Sequence, residues 1–127
     1  MRAYFDSDIL IWHLRGEEKA RGFFSRISKN KEYEMWTGAL QRGEIVFFIR
    51  NDEEEATLSF LSRFKCSPVD QEIIDKAAQL YKKWHPSHGI DINDAILAAT
   101  VKINGGKIYT LNVKHFPMAD IIIEQPW

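Results

Sequence analysis

Short apolar runs alternate with longer segments of helical periodicity along the chain. In one such segment Ala20, Phe23, Phe24 and Ile27 recur at the spacing i, i+3, i+4 and i+7, which indicates an amphipathic helix. The short apolar runs bounded by polar or glycine residues predict strands instead. Over the whole chain, the pattern predicts strands at residues 2–5, 33–36, 66–69, 107–110 and 121–123, and helices at 7–15, 17–27, 37–50, 51–64, 70–84 and 92–103.

Polar residues at the segment boundaries predict where several helices begin. Thr37 is the predicted N-cap of the third helix, and Asn51 with Glu54 has capping-box spacing at the start of the fourth. Asp70 is the predicted N-cap of the fifth helix. The segment 85–89, which contains two histidines, a proline and a glycine, is predicted to be the loop that ends it.

Strands that alternate with one or two helices favour an α/β fold with a mostly parallel central sheet flanked by helices. The chain has 127 residues, of which 45% are hydrophobic and 28% are charged, and this composition is typical of a globular domain. It contains no linker, repeat or low-complexity tract. We therefore expect one domain over residues 1–127.

Charge and cysteine content exclude several classes of protein. The formal net charge of -1 provides no general attraction to nucleic acid, so binding of a polyanion would require a local patch. The single cysteine, Cys66, cannot form an internal disulfide and has no neighbours that suggest a zinc site. The N-terminus is too polar for a signal peptide, and no apolar run has the length of a membrane span. We expect a cytoplasmic protein without membrane contact.

Four acidic residues lie far apart in the sequence but beside segments that the fold must bury. They are Asp6, Glu44, Asp91 and Asp94. Asp6 follows the first predicted strand, and sites in α/β proteins gather at such strand ends. Carboxylates that converge without enough lysine or arginine to neutralise them usually bind a hard divalent cation, such as magnesium or manganese.

Each acidic position also has a purely structural interpretation. Asp6 could be the N-cap of the first helix, and Asp91 with Asp94 could be an N-cap and its N3 partner, with Asn93 competing for the cap. Glu44 could lie at a solvated edge. However, Gly43 costs a helix interior about 1 kcal/mol relative to alanine, which suggests the close approach of another group.

Four segments fall in the order and spacing of a PIN domain. They are residues 4–11, 42–45, 92–100 and 109–117, and the most specific of them is the helix start at Asp94 followed by Thr110-Leu111-Asn112. Over nearly its whole length the chain resembles the VapC-type toxins of prokaryotic toxin–antitoxin pairs. The resemblance implies a ribonuclease that depends on Mg²⁺ or Mn²⁺ and cleaves single-stranded RNA or loops of structured RNA.

The resemblance also implies roles for individual residues. Asp6, Glu44 and Asp94 are expected to be catalytic and to bind the metal, and Ser7 matches a small hydroxyl residue that follows the first acid. Many members have a fourth acid after the last inner strand, whereas this chain has Asn112 and His115 there. The fourth ligand could therefore be an amide, a water or Asp91, and a second metal would bind poorly. The expected supporting residues, which would hold waters or phosphate oxygens, are Ser7, Thr110 and Asn112.

Two other classes of protein remain open. Asp6 and Asp8 after an apolar strand also resemble the opening of haloacid-dehalogenase-like phosphatases, although that family needs a late acidic pair that is not evident here. A non-catalytic PIN-like binding module is the third interpretation, because the fourth carboxylate is missing.

The expected partners are an RNA substrate, an antitoxin protein and a second copy of the chain in a homodimer. The first two helices carry more apolar side chains than a small core can accept from elements so close in sequence. Some of them are expected to line a groove for the antitoxin or the dimer mate, although all of them could be core. These side chains are Ile11, Trp12, Leu14, Phe23 and Phe24.

Overall fold

Five strands form one parallel sheet in the computed structural model, which describes all 127 residues. The strand order is β3-β2-β1-β4-β5, so the first strand lies at the centre and the sheet extends outward in both directions. Every neighbouring pair is parallel, which confirms the predicted α/β class. The strands are β1 (Arg2–Phe5), β2 (Glu34–Gly38), β3 (Lys65–Ser67), β4 (Lys107–Tyr109) and β5 (Ile122–Glu124).

Six α-helices cover the two faces of the sheet. Successive strand residues point to opposite faces, so Tyr4 packs with the core on one side while Ala3 and Phe5 pack with the core on the other. The Tyr4 core contains residues of the fifth and sixth helices, and the Phe5 core contains residues of the first four. The helices are α1 (Ser7–Leu14), α2 (Glu18–Ile27), α3 (Ala39–Val46), α4 (Glu54–Leu61), α5 (Gln71–His88) and α6 (Ile92–Asn104).

The predicted boundaries of α3 are wrong at both ends. Thr37 is buried inside β2, and Gly38 rather than Thr37 is the N-cap, without a side-chain bond. The helix ends at Val46 instead of Arg50. The apolar character of Phe47 and Phe48 predicts that they are helical, yet they lie beyond the helix and are 83% and 82% exposed. The apolar character of Phe47 and Phe48 therefore does not determine the helix length, because these side chains do not pack against a core.

The predicted capping box at Asn51 and Glu54 does not form. Residues Asn51–Glu53 make a 3₁₀ turn, and α4 begins only at Glu54, without a side-chain cap. Arg50 instead pairs with Glu53, with Nη2 and Oε1 2.6 Å apart. This turn shifts the helix start by three residues relative to the prediction.

The predicted loop at 85–89 is helical as far as His88, with Pro86 inside α5. Pro86 has no N–H for the carbonyl of Lys82, and both residues are exposed. The helix ends at Gly89, whose φ of +62° closes the last turn and whose N–H donates to the His85 carbonyl at 2.9 Å. No helix of the fold has the length and apolar character needed to cross a bilayer.

Candidate active site

The carboxyl ends of the neighbouring strands β1 and β4 bring Asp6 and Thr110 together. The Thr110 hydroxyl donates to Asp6 Oδ2 at 2.9 Å, and the N–H of Asp6 donates to the Tyr109 carbonyl at 3.0 Å. Asp6 is only 8% exposed. Its Oδ1 accepts the N–H of Ser7 at 2.8 Å, so Asp6 is also the N-cap of α1. Asp6 is therefore both the cap of a helix, as the structural interpretation predicts, and part of the site at the strand ends.

Asp8 joins this site, although the sequence suggests it only as the second acid of a phosphatase. Its Oδ2 accepts the N–H of Leu111 at 3.1 Å and lies 3.4 Å from the Thr110 hydroxyl. One hydroxyl is thus shared between two carboxylates. The only local signal for Asp8 is that it is an acidic residue in the first helical turn after Asp6. Its backbone partner, Leu111, lies 103 positions away in the sequence, so the sequence does not predict the contact.

The N-terminus of α6 brings Asp94 into the site and holds it in a capping box. Asp91 Oδ1 accepts the N–H of Asp94 at 2.7 Å, and Asp94 Oδ2 lies 3.3 Å from the N–H of Asp91. The structural interpretation of this pair is confirmed. Asp94 is 9% exposed, whereas Asp91 is on the surface. Whether Asp91 also binds metal stays a prediction.

Glu44 is half-buried and held at both carboxylate oxygens. The Ser7 hydroxyl donates to Oε2 at 2.7 Å, and Asn93 Nδ2 donates to Oε1 at 3.0 Å. These bonds join α1, α3 and α6. The sequence indicates Asn93 only as a competing helix cap, because no local signal points to Glu44. A Cβ on Gly43 would lie 3.3 Å from the exposed Phe47 ring, so the group that approaches this glycine is that ring.

The fourth corner of the site is the side-chain pair Asn112 and His115, which is linked to Asp94. Asn112 Nδ2 lies 2.7 Å from His115 Nδ1, and the same ring nitrogen lies 3.0 Å from Asp94 Oδ2. A ring nitrogen carries at most one proton, so in a single state it either accepts from Asn112 or donates to Asp94. The side chains expected to replace the fourth acid thus reach Asp94.

The carboxylates carry charge that no lysine or arginine neutralises. Burial, with added repulsion from Asp8 and Asp94, raises the pKa of Asp6 from 3.8 to about 7. Burial also raises the pKa of Asp94 to about 6, and it raises the pKa of Asp8, to which the charge of Glu44 adds. Among these groups, only Asp94 pairs with a basic residue, His115. Uncompensated carboxylate oxygens are the ligand chemistry of a hard cation.

The side-chain arrangement suits a cation that keeps part of its water shell. No three histidine, cysteine, aspartate or glutamate side chains converge closely enough to form a complete protein cage. Mg²⁺ commonly binds through one or two carboxylates and retains several waters. The carboxylate oxygens near the carboxyl ends of β1 and β4 therefore fit such a cation.

Comparisons with known proteins agree with this geometry. Residues 3–119 match the model of the PIN domain. The chain belongs to the PIN-domain family. Ribonuclease VapC10 of Mycobacterium tuberculosis is 32% identical over 114 residues, covering 89% of this chain and 84% of the relative. Ribonuclease VapC19 of the same organism is 33% identical over 114 residues, covering 89% and 90%.

Solved structures share the fold of this PIN domain at lower sequence identity. A toxin–antitoxin complex from Klebsiella pneumoniae has a TM-score of 0.80 at 22% identity and covers 98% of both chains. DNA-bound VapBC from Salmonella typhimurium has a TM-score of 0.80 at 17% identity and covers 100% of this chain and 99% of the other. The family assignment replaces the haloacid-dehalogenase-like alternative for Asp6 and Asp8.

A groove lined by both apolar and charged side chains opens beside the site of this PIN domain. It has a volume of about 380 Å³ and reaches Glu44. Ile11 and Leu14 line it, whereas Phe23 and Phe24 are buried core residues. The expectation that the apolar side chains of α1 and α2 do not all enter the core is therefore confirmed. The other residues that line the groove are Arg15, Ile45, Phe48, Ile49 and Glu53.

Proposed function

We propose that this PIN domain is a metal-dependent endoribonuclease and the toxin of a VapBC-type toxin–antitoxin pair. The observation that carries the proposal is the set of carboxylates at one sheet edge, Asp6, Asp8, Glu44 and Asp94, with charge that the protein itself leaves uncompensated. The relatives named as ribonucleases support RNA as the substrate.

Three of these carboxylates have proposed roles. Asp6 and Asp94 would hold Mg²⁺ or Mn²⁺, with Glu44 beside them. When bound, the cation would supply a water of lowered pKa and stabilise the charge that develops on the phosphate. Glu44 is fixed through both oxygens by Ser7 and Asn93, which orients it to accept a proton from the attacking water.

Neighbouring polar groups support this chemistry. The Thr110 hydroxyl holds Asp6, and together with Ser7 and Asn112 it offers hydrogen bonds to waters or phosphate oxygens. Asp91, the remaining candidate ligand, uses Oδ1 to cap α6 and keeps only Oδ2 free.

RNA cleavage should require an added divalent cation. Protein freed of metal with a chelator should leave single-stranded RNA intact, and Mg²⁺ or Mn²⁺ should restore cleavage. Asn112→Asp adds a carboxylate at the fourth corner, so it should lower the Mn²⁺ concentration needed for half-maximal cleavage. Full cleavage by chelated protein in EDTA would contradict the proposal. The measurement is gel analysis of a labelled oligonucleotide.

The groove beside Glu44 is the proposed docking surface for the antitoxin. A partner with an apolar face would cover Ile11, Leu14 and Phe48, close to the carboxylates, which would explain how binding blocks cleavage. The structural neighbours that are toxin–antitoxin complexes favour this occupant.

Phe48→Glu should weaken antitoxin binding by about tenfold to a hundredfold, because about 1.5–3 kcal/mol of apolar burial is lost. Phe47→Glu is the matched control, since Phe47 is 83% and Phe48 is 82% exposed but only Phe48 lines the groove. Calorimetry with the product of the adjacent gene measures both affinities. Equal losses in the two variants would place the partner elsewhere.

A second copy of the chain is the other proposed partner. An apolar depression of about 220 Å³ between α5 and α6 is lined only by hydrophobic residues, and Ile74 at its rim is 45% exposed. Covering this depression would remove apolar surface from water, as a homodimer interface does.

A further inference from the structure

Asp8 is the carboxylate of the candidate active site that has no proposed role in cleavage. It lies in the first turn of α1 and is half-buried. Its Oδ1 accepts the N–H of Ile9 at 2.7 Å, and its Oδ2 accepts the N–H of Leu111 at 3.1 Å. Both oxygens thus bind backbone donors, one in its own helix and one 103 positions away in the sequence. The side chain therefore ties two remote parts of the backbone together.

The remote part is the 110–112 segment, which consists of Thr110, Leu111 and Asn112 and follows β4. Only the first N–H of the segment donates to a backbone carbonyl, that of Glu124, at 3.1 Å. The N–H of Leu111 donates to Asp8, and the N–H of Asn112 donates to the Thr110 hydroxyl at 3.0 Å. Side chains, rather than the sheet or a helix, therefore hold the middle and the end of this segment.

The two ends of the 110–112 segment contact the two carboxylates that are proposed to hold the cation. At one end, the Thr110 hydroxyl donates to Asp6 Oδ2 at 2.9 Å. At the other end, Asn112 Nδ2 lies 2.7 Å from His115 Nδ1, which lies 3.0 Å from Asp94 Oδ2. The position of this one segment therefore influences the position of both carboxylates.

The bond from Leu111 to Asp8 fixes the segment between these two contacts. A metal ligand that its neighbours hold in place loses less conformational freedom when the metal binds, so the loss of such a neighbour weakens metal binding. Asp8 itself makes no hydrogen bond to Asp94, because its bonds are to Ile9, Leu111 and the Thr110 hydroxyl. Any effect of these bonds on Asp94 must therefore pass through the segment.

We propose that Asp8 is a positioning residue, which holds the 110–112 segment against α1 and so keeps Asp6 and Asp94 in place for the divalent cation. The proposal rests on the metal-dependent function proposed above and assigns a role to a carboxylate outside the set that binds the cation. The property of Asp8 that matters is then its hydrogen bond to Leu111, and not its negative charge.

Two substitutions at Asp8 separate the hydrogen bond from the charge. Asp8→Asn and Asp8→Ala both remove the negative charge, but only asparagine keeps an acceptor oxygen for the N–H of Leu111. Asp8→Ala should therefore bind Mn²⁺ about tenfold more weakly than Asp8→Asn, the lower end of the effect of losing a group that orients metal ligands. Calorimetry with Mn²⁺ in the absence of RNA measures both dissociation constants. Equal dissociation constants in the two variants would overturn the proposal.

Glu72 provides the matched control. It is the second residue of α5, as Asp8 is the second residue of α1, but it is exposed. Glu72→Gln and Glu72→Ala should therefore both bind Mn²⁺ as the wild type does. A difference between these two variants as large as the difference at Asp8 would show that alanine at this helical position weakens binding, and the proposal would fall.

Amide hydrogen exchange of the metal-free protein tests the contact itself. The N–H of Leu111 should exchange at least about tenfold faster in Asp8→Ala than in Asp8→Asn, while the amides of β4 should keep their rates. In the wild type this N–H should be protected, so the contact is tested even if neither variant folds. A Leu111 amide that exchanges in the wild type as fast as an exposed loop amide would overturn the proposal.

Cleavage of a labelled RNA with Mn²⁺ distinguishes this proposal from the ribonuclease function. A wild type that cleaves RNA, with the two Asp8 variants equal in Mn²⁺ affinity, would overturn the positioning role and leave the ribonuclease proposal standing. A wild type that cuts no RNA, with the expected difference in Mn²⁺ affinity present, would support the positioning role and overturn the ribonuclease proposal. A wild type that binds no Mn²⁺ would overturn both.

Discussion

Asp6→Asn and Asp94→Asn should each abolish RNA cleavage by this PIN domain while making the metal-free protein more stable. Each change removes one oxygen ligand and one negative charge but keeps the size of the side chain. The loss in rate should be at least roughly 10²–10³-fold, the effect of removing one electrostatic stabiliser from an active site.

The gain in stability follows from the raised pKa values. The pKa of Asp6 rises from 3.8 to about 7, which means that the folded state disfavours its charged form. Each tenfold change in an acid dissociation constant corresponds to about 1.4 kcal/mol, so a neutral amide should stabilise the metal-free protein by about 1–3 kcal/mol at pH 8, after allowing for the altered bond to Thr110. Chemical denaturation in EDTA measures this gain.

Asp70→Asn provides the matched control. Asp70 is an exposed N-cap of α5 whose Oδ1 accepts the N–H of Ile73 at 3.0 Å, and asparagine can make the same bond. This variant should keep both cleavage and stability. Wild-type cleavage by metal-repurified Asp6→Asn would show that the carboxylates are not the catalytic centre. A wild type that binds RNA and never cuts it would favour the non-catalytic binding module.

The metal-free protein should lose stability as the pH rises from about 4 to about 7. The folded-state pKa values of Asp6, about 7, and Asp94, about 6, lie above the ordinary value of 3.8. Within this window the folded state keeps protons that the unfolded state has released, so the free energy of unfolding falls as pH increases. The slope is up to about 1.4 kcal/mol per pH unit for each carboxylate.

Bound cation should oppose this trend, because it binds the ionised carboxylates of the folded state. The stabilisation by Mn²⁺ should therefore be small at pH 5 and large at pH 8. Thermal unfolding at four pH values, with EDTA or with Mn²⁺, measures both slopes, and Asp6→Asn should flatten the curve in EDTA. A metal-free protein whose stability increases between pH 5 and 7 would contradict the proposed charge repulsion.

Local features of the candidate site were predictable from the sequence. Asp6 at the end of β1 and the capping box of Asp91 with Asp94 depend on residues at most three positions apart. Their backbone geometry follows from short-range preferences, so the pattern of residue types was sufficient. The helix ends at Val46 and His88 were not predictable in this way. An apolar run does not show whether its side chains face a core. A proline does not show whether a helix tolerates the backbone hydrogen bond that it removes.

The connections that complete the site were not predictable. Ser7 reaches Glu44 across 37 positions, and Asn93 reaches the same side chain across 49. Asp8 meets the backbone of Leu111 across 103 positions. These bonds depend on how α1, α3 and α6 cross at the edge of the sheet, and the packing of whole helices decides those crossings.

The sequence by itself determined the class of fold, the position of the acidic residues at the ends of buried elements and the likeness to PIN domains. It could do so because hydrophobic periodicity and residue spacing are local properties of the chain. Only the tertiary structure decided which oxygens of Asp6, Asp8, Glu44 and Asp94 are already bonded within the chain. Those facts depend on distances between elements remote in sequence, which are determined by the packing of two cores on opposite faces of one sheet.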